Sequence, residues 1–267
     1  MISTTLPQSD LPRSELAGLS AIVAGAGRPV ILLHGVGLRA EAWGAQIEGL
    51  RGTCHVIAPD MPGHGQDPGT ARAETLDDYV QAVLRLLTAL EEPALVVGHS
   101  MGAMIALELA FSEPERVVAL AALNAIFERG DAAKAAVQAR AARLDGAAVP
   151  DPAPTLARWF GTAPSPARSA CETWLRTADP AGYKRAYTVF AEADGPRRDR
   201  LGTLGCPALF ATGAGDANST PAMSRAMAEL APDGRALILD EAAHMMPMTH
   251  APDVNAALMA LAAEVWP

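Results

Sequence analysis

Between Ala94 and Ala110 the chain has to turn a strand into a helix with almost no residues to spare. Ala94-Leu95-Val96-Val97 is an apolar run of strand length, and beyond it Met101, Met104, Ile105 and Leu109 recur at the spacing of one helix face. Only Gly98-His99-Ser100-Met101-Gly102 is left for the reversal. Ser100 therefore falls at the apex of a tight turn, and the two glycines, lacking Cβ atoms, let neighbouring backbone approach closely. Such a turn lifts a hydroxyl off the end of a sheet and aims the amide of the next residue, Met101, at the same point. Gly-x-Ser-x-Gly alone occurs by chance. Set between a buried strand and an amphipathic helix, it predicts a nucleophilic Ser100 rather than a structural turn serine.

The rest of the chain repeats the strand-then-helix pattern. Ser20–Ala24 and Val30–Leu33 read as strands, the second apolar throughout and so central in a sheet. His34-Gly35-Val36-Gly37 follows the second, where glycines after a buried strand let backbone face a ligand. With a nucleophile downstream, this loop is expected to offer the Val36 amide as a second oxyanion donor beside that of Met101. Trp43–Leu50 fits a short helix, His55–Ala58 a strand, and Leu76–Leu90 a helix with Leu76, Tyr79, Val80, Val83, Leu86, Leu87 and Leu90 as its buried stripe. Val117–Leu123 is another apolar strand. This alternation is the mark of an α/β fold with a mostly parallel sheet covered on both faces.

After Leu123 the pattern changes. Residues 126–195 contain no convincing strand, and Ala132–Leu144, Thr155–Phe160, Ser169–Thr177 and Pro180–Glu192 read as helices among five interrupting prolines. The expected organisation is a core of residues 1–125, a helical lid of 126–195 and a second core segment of 196–267. Six aromatic residues lie on the helical stretches of the lid: Trp159, Phe160, Trp174, Tyr183, Tyr187 and Phe190. They are expected to share two tasks, forming the lid's own core and roofing a pocket over Ser100. Arg158, Arg168, Arg176 and Arg185 lie in the same region, either as solvated face or as partners for a substrate carboxylate. Strands return at Pro207–Ala211 and Arg235–Leu239, with helices over Pro221–Leu230 and Val254–Val265.

A serine hydroxyl needs a base to take its proton and an acid to orient that base. Asp216 lies just beyond the strand Ala208–Ala211, and His244 just beyond Ala236–Leu239, both at the carboxyl edge where ligands of open α/β sheets bind. The order Ser100, Asp216, His244 is that of a hydrolase triad on an α/β sheet. His250 stands further from its strand end, Asn124 has no carboxylate, and Asp240 and Glu241 are too close to His244 in sequence to reach around its ring. His64, in the turn-rich Asp60-Met61-Pro62-Gly63-His64-Gly65, and His55, within a strand, are read as structural. None of the six histidines pairs with another at metal-ligand spacing, so neither a metal nor a cofactor is expected.

Composition narrows the partners. A formal net charge of −9 disfavours nucleic acid. Three widely spaced cysteines, Cys54, Cys171 and Cys206, suit reduced thiols in the cytoplasm. Met1–Asp10 shows no signal-peptide pattern, and the longest apolar run is far short of a membrane span. A small-molecule substrate is the expected partner; oligomeric state is not legible.

Along nearly its whole length the chain resembles the α/β-hydrolase fold family, most closely its lid-bearing bacterial serine esterases and enol-lactone hydrolases. The likeness rests on His34-Gly35-Val36-Gly37, Asp60-Met61-Pro62-Gly63-His64-Gly65, Gly98-His99-Ser100-Met101-Gly102, Gly213-Ala214-Gly215-Asp216 and Ala243-His244-Met245. It implies an eight-stranded, mostly parallel sheet with a helical lid. It also implies Ser100 as nucleophile, His244 as base, Asp216 as its orienting acid, and an oxyanion hole of the Val36 and Met101 amides. Gln66 departs from the serine that relatives often carry, and His250 from a frequent glutamate. A serine in place of aspartate at the turn excludes the usual dehalogenase and epoxide-hydrolase route, and His99 leans towards esterases. The expected reaction is hydrolysis of a small carboxylic ester, lactone or thioester. Carbon–carbon bond hydrolysis or acyl transfer on the same triad is the alternative, and a non-catalytic binding protein is the reading from another class.

Overall fold

A computed structural model describes residues 12–67 and 73–266. The Met1–Asp10 segment considered above lies outside them. In chain order the elements are β1 (Arg13–Leu16), β2 (Leu19–Ala24), β3 (Arg28–Leu33), a short 3₁₀ turn at Ala40–Trp43, α1 (Gly44–Leu50), β4 (Cys54–Pro59), α2 (Leu76–Thr88), β5 (Ala94–His99), α3 (Met101–Ser112) and β6 (Val117–Leu123). Then come α4 (Asp131–Ala142), α5 (Ala153–Phe160), α6 (Pro166–Arg176), α7 (Pro180–Glu192), α8 (Arg198–Leu201), β7 (Ala208–Gly213), α9 (Pro221–Leu230), β8 (Gly234–Leu239), α10 (Met246–Thr249) and α11 (Ala251–Val265).

The eight strands form one sheet in the order β1-β2-β4-β3-β5-β6-β7-β8. β2 runs antiparallel to both its neighbours, β1 and β4, and the remaining pairs are parallel. Side chains alternate across the sheet, as the two-residue period of a strand requires. Ile31, Leu33 and Val96 join one core with α2 and α3, while Val30, Leu32, Leu95 and Val97 join the other with α1 and α11. A helix on each face buries both sides of the central strands, which is why these strands read as unbroken apolar runs.

Two features differ from the sequence reading. β1 was not expected, because three of the four residues of Arg13–Leu16 are polar. It forms an edge hairpin with β2 across Ala17 (φ 52) and Gly18 (φ 85), where one partner and partial exposure ask for no apolar run. α3 is not amphipathic: only Glu108, Phe111 and Ser112 escape full burial. It lies between the sheet and α2, so it is covered on nearly every side.

Between the end of β6 and the start of β7 the chain is helical from α4 to α8. Its two ends meet: Glu128 N–H donates to Asp194 O (3.0 Å), and Arg129 N–H to Asp194 Oδ1 (3.0 Å). The Arg129 guanidinium donates to Ala193 O (2.5 Å) and Phe190 O (3.2 Å) and lies 4.5 Å from the centre of the Phe190 ring. Val137, Ala141 and Ala191 form a small apolar core between α4 and α7.

Candidate active site

One residue, Ser100, separates the end of β5 from the start of α3. It adopts φ 56°, ψ −115°, a conformation that costs a non-glycine residue about 1–3 kcal/mol and that the surrounding structure must enforce. The enforcement is visible. Ser100 N–H is tied to Leu123 O (2.9 Å), and its carbonyl accepts from Ala103 N–H (3.0 Å). A Cβ on Gly98 would collide with the Gly102 carbonyl, and one on Gly102 with the Leu33 carbonyl. β5, α3 and β3 are thus pressed together at backbone contact distance, which only glycine permits. The loop after β3 lies directly against this turn: a Cβ on Gly35 would stand 3.0 Å from Ser100 Cβ. Val36 and Ser100 consequently line the same cavity. Met101, as the first residue of α3, carries an N–H with no intrahelical acceptor.

Asp216 and His244 come from the loops after β7 and β8, and His244 Nδ1 lies 2.7 Å from Asp216 Oδ2. Every lone-pair direction of the Asp216 carboxylate is used. Oδ1 accepts from the Asn218 and Ser219 amides (2.8 and 3.1 Å), and Oδ2 also accepts from Asn124 Nδ2 (2.9 Å). Burial alone pushes this carboxyl up, but the neighbouring His244 and these hydrogen bonds outweigh it and hold the group at about 2. It is therefore ionised throughout the neutral range. The carboxylate accepts, so His244 Nδ1 bears the hydrogen and Nε2 is free to take a proton.

Asn124, passed over in the sequence because it has no carboxylate, turns out to steady the one that does. It directly follows β6 in a left-handed conformation (φ 50) and its amide also donates to Thr212 Oγ1 (3.1 Å). His99 holds the other side of the site. Its Nε2 donates to the His244 carbonyl (2.7 Å), and its ring centre lies 4.9 Å from that of His244. Burial, then the proximity of His244, pushes the His99 imidazole down to about 3, so it serves as a neutral donor. His64 is structural: Nδ1 lies 3.1 Å from Pro62 O, its ring packs edge-on against His34, and burial pushes it down to about 4. Asp60 anchors the same corner, accepting from the Ala40 and Gln66 amides (both 2.8 Å) and from Arg13 (2.7 Å).

The cavity over Ser100 measures about 40 Å³. Leu38, Val36, His99, Ser100, Asn218 and His244 line it from the core, and Arg140, Thr155, Arg158, Trp159, Tyr183, Tyr187 and Phe190 from the helical insertion. Four of the six aromatic residues singled out in the sequence are thus present, while Phe160 and Trp174 pack against the core. Trp159 stacks on His244 with ring centres 5.8 Å apart. Among the described residues the Ser100 hydroxyl has no hydrogen-bond partner. Catalytic hydrogen bonds of this kind commonly tighten only once substrate is bound.

The arginines divide. Arg168 and Arg176 pair with Glu172, and Arg185 with Asp179. Arg158 and Arg140, the latter not singled out in the sequence, face the cavity without any carboxylate partner among the described residues. Neutral groups hold them: Arg140 Nε donates to Tyr187 Oη (2.9 Å) and Arg158 Nη2 to Thr155 Oγ1 (2.9 Å). Burial, then the charge of Arg140, pushes the Arg158 guanidinium down. Among the described residues no cluster of three His, Cys, Asp or Glu side chains is placed to hold a metal ion, and no helix is long and apolar enough to cross a membrane. Cys54, Cys171 and Cys206 are buried free thiols.

Comparison with known proteins bears on this geometry. Residues 30–258 match the family model described as the alpha/beta hydrolase family. An (E)-2-((N-methylformamido)methylene)succinate hydrolase of Acinetobacter baylyi is 38% identical over 239 residues, 88% of this chain and 90% of that protein. A thermophilic esterase from Thermogutta terrifontis superposes with a TM-score of 0.84 at 24% identity, over 96% of this chain and all (100%) of the esterase. An enol-lactonase from Burkholderia xenovorans LB400 does so with a TM-score of 0.81 at 22% identity, over 94% of this chain and 100% of the lactonase.

Proposed function

This chain belongs to the alpha/beta hydrolase family, and from that premise we propose that Ser100, His244 and Asp216 are the triad of a hydrolase that removes an acyl group from a small, carboxylate-bearing substrate. The observation that carries the reading is the 2.7 Å contact between His244 and a fully hydrogen-bonded Asp216, with His244 and Ser100 opening on one cavity. His244 Nε2 takes the Ser100 proton as Oγ attacks the substrate carbonyl, and the imidazolium so formed is stabilised by Asp216, which stays ionised. The carbonyl oxygen becomes an oxyanion facing the Val36 and Met101 amides, fixed donors that need no reorganisation as charge develops. The tetrahedral intermediate collapses, breaking the bond to the leaving group, which receives the proton from His244. Water, deprotonated by His244, then attacks the acyl-enzyme and releases the acid, restoring the Ser100 hydroxyl.

Esters, lactones, thioesters and activated amides all follow this path, so the triad does not choose among them. The arginines narrow the choice. Two guanidiniums that face a cavity without a carboxylate are mutually repulsive until an anion joins them. The name of the Acinetobacter relative describes an N-acyl compound of a methylene-substituted succinate. An acyl group on a small dicarboxylate supports both facts. In this reading the helical insertion is the lid of the site, and the three buried free thiols suit a reducing, cytoplasmic setting. The test is labelling of Ser100 by a fluorophosphonate in folded protein, with loss of label in Ser100→Ala. An unlabelled serine in a protein that turns over no activated ester overturns the proposal.

A further inference from the structure

Among the described residues two aromatic rings lie against the imidazole of His244, and they come from different parts of the molecule. His99, from the sheet edge, is tilted at 54° with ring centres 4.9 Å apart, and its Nε2–H is spent on the His244 carbonyl. Trp159, from α5, is stacked at 28° with ring centres 5.8 Å apart. The helix period explains the second contact. Leu156, Trp159 and Phe160 stand at i, i+3 and i+4 of α5 and so share one face. Leu156 is buried in the core and the other two pack against that core, which carries the indole over the end of β8.

Resting on the catalytic reading above, we infer that Trp159 is a positioning residue for the base: its indole face holds the His244 ring against Asp216 and stabilises the imidazolium relative to the neutral imidazole. It acts through His244 and not on the bond that breaks. His244 becomes a cation twice in each turnover, first as Ser100 gives up its proton and again as water does. Asp216 answers that charge at Nδ1, in the plane of the ring. An indole face answers it from above the ring, since its quadrupole attracts a cation within about 6 Å of the ring centre more strongly than any other side-chain ring does. The other groups around His244 show why this matters. His99 is a neutral donor, whereas Arg140 and Arg158 face the same cavity from α4 and α5 and, as cations, oppose a proton on His244. α5 thus brings both a like charge and the ring that offsets it. A plain apolar cover has the opposite effect, because excluding water makes the charged imidazole costlier. The sign of one shift therefore decides between the two.

The acid limb of kcat/KM for 4-nitrophenyl acetate reports protonation of the base in the free enzyme. In Trp159→Leu that limb is expected to move to lower pH by about half a unit, with the plateau of kcat/KM down by about three- to tenfold. Trp159→Phe, which keeps an aromatic face, should restore most of both. A limb that stays in place in Trp159→Leu, or moves to higher pH, overturns the inference and leaves Trp159 as an apolar cover. Arg158 precedes Trp159 on α5, and its displacement towards His244 would give the same sign. The shift should therefore persist when Trp159→Leu is made together with Arg158→Gln, and its disappearance there also overturns the inference. The indole itself supplies a readout without turnover, because a protonated imidazole in contact quenches its emission. The emission lost in Trp159→Phe should titrate with the midpoint of the native kinetic limb, and His244→Gln should remove that step. Native emission without such a step means the rings are not in contact in solution and overturns the inference as well. Fluorophosphonate labelling separates the two levels: a labelled Ser100 with an unmoved limb defeats the role of Trp159 alone, whereas an unlabelled Ser100 defeats the catalytic reading.

Discussion

The edge of the sheet and the helical insertion meet over the same cavity but are built on opposite terms. At the sheet edge the groups that position the triad are committed. Gly98 and Gly102 touch backbone, Asp216 accepts four hydrogen bonds, and His99 and Asn124 hold the parts that hold the triad. In the insertion the charged groups that face the cavity have spare capacity. Arg140 and Arg158 each have five N–H donors, and among the described residues each makes a single side-chain hydrogen bond. The first arrangement suits chemistry, which needs fixed geometry. The second suits recognition, in which the missing partners come with the ligand. A chain of this kind therefore makes its reaction far easier to read than its substrate.

The largest effects should come from the reacting atoms. Ser100→Ala and His244→Ala are each expected to lower kcat by about 10⁴-fold or more, with the thermal midpoint by circular dichroism near that of the native protein. Turnover close to native in either variant would put the chemistry elsewhere. The next effect contrasts the two regions directly through glycine. In Gly102→Ala the new methyl meets the Leu33 carbonyl, so destabilisation of about 3 kcal/mol or more is expected. Gly161, at the end of α5, has φ 71 and ψ −151 but open space around it, and its alanine variant should lose about 2 kcal/mol, from backbone strain alone. Urea titration of the pair measures both, and equal losses would mean the edge is no more tightly built than the insertion.

Recognition should respond more mildly. Arg158→Gln keeps a polar side chain but shortens it, giving up the Nη2 hydrogen bond to Thr155 together with the charge. For a carboxylate-bearing substrate, KM should rise by about tenfold to a hundredfold, with a smaller change in kcat, because the residue binds rather than reacts. A variant that lost kcat alone would move Arg158 into the chemistry.

The same contrast explains what was legible. Sheet strands buried on both faces announce themselves as apolar runs, and the loops at their carboxyl ends follow, so Ser100, Asp216 and His244 were each located by the strand before them. Val117–Leu123, Pro180–Glu192 and Pro221–Leu230 match their elements to the residue. Arg13–Leu16 escaped because an edge strand needs no apolar pattern. Arg140 escaped for a different reason: on a helix rich in alanine and charge, nothing local tells a cavity-facing arginine from a solvated one. Which face of α4 meets α7 is set by Val137, Ala141 and Ala191, contacts between segments some 50 residues apart. Asn124 shows the limit at the sheet edge. A search for a carboxylate passes over an amide, although the amide donates to that carboxylate.

Asn124 also yields the finest prediction. Asp216 is held at about 2 against an ordinary value of 3.8, so the folded protein binds its proton less readily than the unfolded chain does. Stability from this group is present above about pH 4 and is lost as the pH falls towards 2, a difference of about 2 kcal/mol. The buried imidazoles act earlier and in the same sense. His99 and His64 are pushed below their ordinary 6.5, to about 3 and about 4, so the unfolded chain takes up protons first and stability declines as the pH falls below about 6.5. Asn124→Ala removes one donor to Asp216 Oδ2 and leaves His244 and two backbone amides in place. It is expected to move the lower part of this acid loss upward by a fraction of a pH unit and to reduce kcat by about tenfold or less, with KM unchanged. Denaturation midpoints between pH 2 and 7, measured beside the pH profile of kcat, separate the two contributions. An acid limb identical to that of the native protein would mean that His244 and the backbone amides keep Asp216 ionised without Asn124, and that the sheet edge holds its acid with a donor to spare.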